Sequence, residues 1–411
     1  MKRFKAWIAV WAIIIASILI AFEYGKVAPA APNMMEILGI SYTTQGLMMT
    51  MFSLAAVAMA AFGGNLIDRF GARKVVGIAL AFSVIGNLVA LFWTTDAGIL
   101  VTRALEGCGY GAVMTAGPGV IAAWYEPKKR ALANGVWGAN VGFGFMICTL
   151  CATPIMENGN WTSMWIFGLI GAVLSLLLVV VLVVMPPDNQ RKDLLENVCL
   201  SDDESSKHGP FWGYMAPLAI LAAVMFFLTG GPTDAFNSFT IPYLNVYLGW
   251  EEGIANMCSS IAACGMLIGA IVMGYIFAFA KDKGMVLLIN ILLMAVVYFL
   301  WFRLDLGIAQ TYVIAFVSGC IMGAAPTFYF AITPDAARSP KTVAAATAVV
   351  VLGMNIATLS IPAMIGMILD SFGYEAASAA MGTLAIIAAI ICLVFRNMYN
   401  KTAGIGKKSS K

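Results

Sequence analysis

Apolar residues in this chain come in long unbroken runs. They show neither the alternation of a half-buried strand nor the one-sided stripe of a soluble amphipathic helix. The runs predict twelve membrane-spanning helices, at approximately 6–34, 44–65, 74–94, 97–124, 130–155, 161–185, 212–247, 252–280, 284–302, 307–331, 341–368 and 375–396. A hydrocarbon core about 30 Å thick needs about 20 apolar residues per helix. A lipid-embedded backbone must also satisfy its own hydrogen bonds, which a helix does locally. A porin-like barrel would show alternating segments of about 10 residues instead. The first run has the basic start and Ala-rich end of a secretory signal. Its apolar stretch, Ala6 to Phe22, exceeds the usual 7–15 residues and more spans follow at once. It reads as an uncleaved first helix.

Polar residues divide the runs unequally. Most connections are short, but Pro186 to Pro210 is a long mixed-charge stretch, "PPDNQRKDLLENVCLSDDESSKHGP". The predicted organisation is an all-α membrane protein of two pseudo-symmetric six-helix bundles. Residues 1–186 and 212–396 form the bundles, 187–211 a cytoplasmic linker and 397–411 a cytoplasmic tail.

Composition agrees with the pattern: of 411 residues, 61% are hydrophobic and 11% charged, against about 25% charged in a soluble domain. The net charge of +3 gives no reason to expect a nucleic-acid partner; the lipid bilayer is the environment the chain needs. Charge placement says more. With the N-terminus in the cytoplasm, 21 of the 24 Lys and Arg fall at cytoplasmic ends, only Arg303 outside, and Lys26 and Arg103 within helices. The positive-inside rule then puts both termini in the cytoplasm of a multi-pass cytoplasmic-membrane protein. The eight Cys are scattered without metal-ligand spacing, so no metal or other cofactor is expected. The lone His208 lies in the polar loop, which excludes a histidine relay within the membrane.

Five charges sit inside apolar runs: Glu23 and Lys26 in helix 1, Arg103 and Glu106 in helix 4, and Asp234 in helix 7. Each costs about 2.5–3.5 kcal/mol on insertion scales. Glu23 and Lys26 are three apart, as are Arg103 and Glu106, so each pair shares a helix face. Such pairs can simply stabilise a fold, although buried ion pairs do this weakly. As a site, Arg103 or Lys26 would hold an anion, Arg by its bidentate fork. Glu23, Glu106 or Asp234 would carry a proton. In "LTGGPTDAFNSF", Gly230, Gly231 and Pro232 are expected to break helix 7 near Asp234 and Asn237. Asn140 and Tyr329 are further candidates to line a site, though packing is the default role for each.

Three stretches carry a family resemblance. "GNLIDRFGARK" between helices 2 and 3 resembles the signature loop of the major facilitator superfamily. Its matching residues are Gly64, Asp68, Arg69, Gly71, Arg73 and Lys74, with Ala72 shifting the register by one. "RALEGCGYGA", Arg103 to Ala112, resembles the family's helix 4 pattern. "WYEPKKRALANGVWGANVGFG" resembles the helix 4–5 junction of its oxalate/formate antiporter and monocarboxylate carrier branch. Helices 8 and 11 lack the basic residues of that branch, and the drug-exporter pattern G-P-x-x-G-G is absent from helix 5. The resemblance implies that helices 1, 4, 7 and 10 line a central cavity and that the helix 2–3 loop is a gate. Glu23 would then face water opposite Arg103. A weak echo of the loop, "GMILDSFG" at Gly366 to Gly373, ends helix 11.

The resulting expectation is a monomeric secondary transporter, not an enzyme. It would move a small organic anion, a mono- or dicarboxylate, by proton symport or anion exchange. The alternative is proton-coupled export of cationic or amphipathic compounds, for which 25 Met would supply a pliable lining.

Overall fold

A computed structural model of the chain describes residues 2–125, 133, 136–137, 139–157, 160–184, 217–303, 306–336 and 343–402. The linker expected at 187–211, His208, the basic cluster Lys128, Lys129 and Arg130, and the tail from 403 lie outside the described residues. So do the side chains of Gly64 and Asp68.

The described residues are almost wholly helical. In chain order they form α1 (Lys2–Gly25), α2 (Val27–Leu38), α3 (Tyr42–Phe70), α4 (Ala72–Ala90), α5 (Asp96–Trp124), α6 (Asn140–Met156) and α7 (Trp161–Leu182). There follow α8 (Pro217–Pro242) with a π-helical turn at Tyr243–Tyr247, α9 (Glu252–Phe279), α10 (Lys283–Trp301), α11 (Ile308–Ala336) and α12 (Val343–Thr402). The last is two limbs joined at Gly373, whose φ of 78° and ψ of −175° are not helical. Counting α1 with α2 as one rod, and α12 as two, gives twelve rods among the described residues, the number expected.

The chain divides into two compact units. The first comprises 1–40 and 47–208, the second 41–46 and 209–411. In the first, α1 packs on α5, α6 and α7, and α4 lies against α5 and α7. Their contact is a dry cluster in which Ile13, Ile20, Leu80, Val113, Val120 and Val179 interleave with Ala. In the second, α8 packs on α12, α9 on α11 and α10 on α12. Lipid tails are as apolar as Leu, so close van der Waals fit rather than apolar burial holds such helices together. The outward faces, with Phe62, Ile78, Ile271 and Phe279 well exposed, are those of a lipid-embedded protein.

One helix departs from expectation. Helix 1 is the single rod expected, Lys5–Leu38, with a loosened turn at Lys26, between α1 and α2, where the backbone stays helical. Pro29 has no N–H to give the Gly25 carbonyl, which weakens the ladder there. Helix 7 does not break at Gly230–Pro232; α8 runs straight through Pro232, and the irregular turn lies beyond Pro242. Gly231 serves packing instead, since a Cβ there would collide with Ile361.

Candidate substrate and proton site

Lys26, between α1 and α2, meets polar groups of three helices. Its ammonium lies 2.7 Å from Glu23 Oε2, 2.5 Å from Asn87 Oδ1 and 3.0 Å from Glu106 Oε1. The last is an ion pair without the alignment of a directed hydrogen bond. Asn87 Nδ2 donates to Glu23 Oε1 at 2.7 Å and to the Ser83 carbonyl at 2.9 Å. Arg103 Nη1 donates to Glu106 Oε2 and, at 2.9 Å, to the Glu23 carbonyl. Two cations and two carboxylates thus close one network from α1, α4 and α5, with Lys26 at the turn.

Aromatic faces cover it. The Lys26 ammonium is 4.5 Å from the Trp165 ring and the Arg103 guanidinium carbon 4.4 Å from the Phe52 ring. Two glycines make this possible: a Cβ on Gly107 would strike the Phe52 backbone, and one on Gly168 would stand 2.7 Å from Asn87 Oδ1. Glu23, Lys26, Asn87, Arg103 and Glu106 are all fully buried. The expectation that Glu23 faces water is therefore corrected. The carboxylates and cations balance, so they satisfy one another without a hydrated wall.

The balance is incomplete at Arg103. Its Nε and Nη2 have no hydrogen-bond acceptor among the described residues. Leaving a buried charged donor unsatisfied costs about 1–3 kcal/mol or more. These two N–H groups form one in-plane edge of the fork, the geometry that accepts a carboxylate bidentately.

The remaining candidates lie elsewhere. Asn140, at the start of α6, is buried and sits 3.4 Å from Met114 Sδ. Asp234 belongs to the second unit, where Thr358 Oγ1 donates to its Oδ2 at 2.6 Å. Asn237 is half-buried one turn further along α8. Tyr329 is fully buried, stacked on Phe226 at 4.7 Å, with its hydroxyl 3.0 Å from Thr229 Oγ1. Tyr298 adds to this group, donating to the Thr229 carbonyl at 2.9 Å and lying 2.7 Å from Thr233 Oγ1. Among the described residues no group of three or more His, Cys, Asp or Glu could hold a metal.

At the junction of α3 and α4, Arg69 lies over Phe70 at 5.2 Å, and Arg69, Gly71 and Arg73 are exposed. Gly71 has a φ of 86° and Gly373, its counterpart in the echoed segment, a φ of 78°. Both take a backbone conformation that only Gly adopts cheaply.

Sequence reasoning missed Asn87, Phe52, Trp165 and Tyr298. Asn87 carried a signal, as a polar residue inside "VVGIALAFSVIGNLVALFW". The three aromatics carried none, because nothing local separates them from ordinary core residues.

The chain matches the Major Facilitator Superfamily over residues 13–340 and 223–410. It belongs to that superfamily. Its long apolar helices are accordingly those of a multi-pass membrane protein. Among solved structures, it is similar to a bacterial homolog of the human lysosomal transporter Spinster in an inward-facing, unoccupied conformation. The TM-score is 0.73 at 15% identity, covering 100% of both chains. Among curated relatives, it is similar to Multidrug resistance protein 1 of Bacillus subtilis, at 24% identity over 64% of this chain and 65% of that one. It also resembles the Uncharacterized MFS-type transporter Rv1250 of Mycobacterium tuberculosis, at 27% over 42% of this chain and 31% of the other. The Probable anion transporter 6, chloroplastic, of Arabidopsis thaliana is 33% identical over 32% of this chain and 26% of its own. The chain therefore spans about a quarter to two thirds of the length of these relatives.

Proposed function

We propose that this member of the superfamily moves a small organic anion, a mono- or dicarboxylate, across the cytoplasmic membrane by alternating access. Arg103 is the anion-binding residue, and the observation that carries the reading is its buried, unpaired Nε–Nη2 edge. Lys26 is surrounded by three acceptor oxygens and holds the carboxylates in place rather than meeting the solute. The charges supply the coupling. Protonating Glu23 or Glu106 leaves the network with one surplus positive charge, which an anion neutralises, so proton and anion favour one another's binding. That makes proton symport the natural mode, with anion exchange where the proton stays in place. Asn140 is a secondary contact in this reading; within the second unit, Asn237 and Tyr329 stay candidate solute contacts and Asp234 a candidate proton acceptor. Gly64, Asp68, Arg69, Gly71 and Arg73 form the gate. Both termini are cytoplasmic, from the distribution of Lys and Arg, and the transporter acts as a monomer. The likeness to the oxalate/formate and monocarboxylate branch around Trp124 to Gly144 supports a carboxylate.

A second reading, proton-coupled export of cationic or amphipathic compounds, draws on the likeness to a multidrug resistance protein over 64% of the chain. Proteoliposomes separate the two. Under the anion reading an inward proton gradient accumulates a carboxylate, Arg103→Gln abolishes this, and Glu23→Gln uncouples it from the gradient. Gradient-driven efflux of a lipophilic cation that survives Arg103→Gln establishes the exporter instead.

A further inference from the structure

The surroundings of Arg103 narrow the substrate class. Phe52, which covers one face of the guanidinium, is fully buried. Its ring centroid lies 5.2 Å from that of Tyr110 and 6.1 Å from that of Tyr24. Tyr24 and Tyr110 are 6.3 Å apart and within 22° of parallel. Both are half-buried, unlike every charged member of the network. A continuous aromatic surface therefore leads from two partly exposed rings, through Phe52, to a buried guanidinium with one unpaired edge. Ring pairs favour offset or edge-to-face contact at about 4.5–7 Å, the spacing at which an added flat ring continues such a surface.

We propose that the preferred solute is an aryl or arylalkyl monocarboxylate. Its carboxylate takes the Nε–Nη2 edge of Arg103, and its ring lies against Tyr24 and Tyr110, which must shift to admit it. One charge is specified because, among the described residues of the network, Arg103 alone has a cationic edge without an acceptor, and Glu23 and Glu106 already bring two negative charges to it. This rests on the organic-anion reading and selects among its substrates.

Isothermal titration calorimetry of the full chain in detergent tests it, with 3-phenylpropionate, cyclohexanepropionate, propionate and succinate as probes. Cyclohexanepropionate matches the apolar bulk without the π face. The wild type is expected to bind 3-phenylpropionate about threefold to tenfold more tightly than cyclohexanepropionate, and succinate more weakly than either. Tyr110→Leu and Tyr24→Leu should shrink the aryl preference while leaving propionate affinity unchanged; Tyr110→Phe should keep it. Arg103→Lys, which keeps the charge but loses the fork, should weaken all three monocarboxylates in parallel. Equal binding of the aryl and cyclohexyl acids, or a preference that survives both Leu variants, overturns the inference and leaves the anion reading standing. Tighter binding of succinate also overturns it. Wild-type protein that binds none of the four acids overturns the anion reading itself.

Discussion

The two units solve the same problem, a polar core inside a membrane bundle, in opposite ways. The first is cored by formal charge: Glu23, Lys26, Arg103 and Glu106, cross-linked by Asn87 and fully buried. The second is cored by hydroxyls, with Tyr298, Tyr329, Thr229 and Thr233 bonded to one another and to backbone carbonyls. Its one carboxylate in this region, Asp234, is half-buried and accepts from Thr358. A hydroxyl both donates and accepts, so a neutral network can close on itself. Ions cannot trade roles in this way: Arg only donates and carboxylates only accept. Among the described residues, the charged core retains a donor edge without an acceptor. The comparison teaches that a surplus donor, and with it a reason to bind an anion, follows from building with ions.

The largest effect expected is in the charged core. Lys26→Met leaves Glu23 buried without a cation, while Glu106 keeps Arg103, and should cost about 3–5 kcal/mol, read as a fall in the denaturation midpoint of the purified protein. The double variant Glu23→Gln/Lys26→Met restores neutrality and should cost less than the sum of the single changes. Strict additivity would mean that the two charges do not feel one another. Next, Gly168→Ala should push a methyl group against Asn87 Oδ1 and cost about 1–3 kcal/mol by overpacking; an unchanged midpoint would show that the site is loosely built. Tyr298→Phe, in the hydroxyl core, should cost about 1 kcal/mol. A loss as large as that of Lys26→Met would erase the contrast between the units.

The smallest effect concerns Asp282, outside the spans. Its carboxylate accepts from the Met285 N–H and from Arg396 Nε at 2.8 Å. Partial burial raises its pKa, but the Arg396 and Met285 bonds outweigh that and hold it below the usual carboxylate value. A depressed pKa contributes stability that is complete above the ordinary carboxylate range and disappears as pH falls through the lowered value. Asp282→Asn should therefore lower the melting temperature slightly at neutral pH and leave it unchanged in strong acid.

Much of the site was legible in advance. The spacing of three within Glu23/Lys26 and Arg103/Glu106 put each pair on one face, and the cost of charge in lipid gave a reason for the pairs to meet. It could not say that they would be fully buried, because that depends on Trp165 and Phe52 arriving from elsewhere in the chain. Gly230, Gly231 and Pro232 predicted a broken helix 7 by local propensity, but packing of α8 on α12 keeps it whole. Tyr329 packs against Phe226 and Thr229, the default role for a tyrosine at helical spacing.

Taken alone, the sequence determined the number and order of the spans and the expected orientation. Run length and the placement of Lys and Arg are properties of one segment at a time. The tertiary structure decided which faces meet: that Asn87 stands between Lys26 and Glu23, and that Gly107 lets Phe52 lie over Arg103. It also decided that one edge of that arginine stays unmatched. Helical periodicity names a face, and only the packing of several helices determines what that face touches.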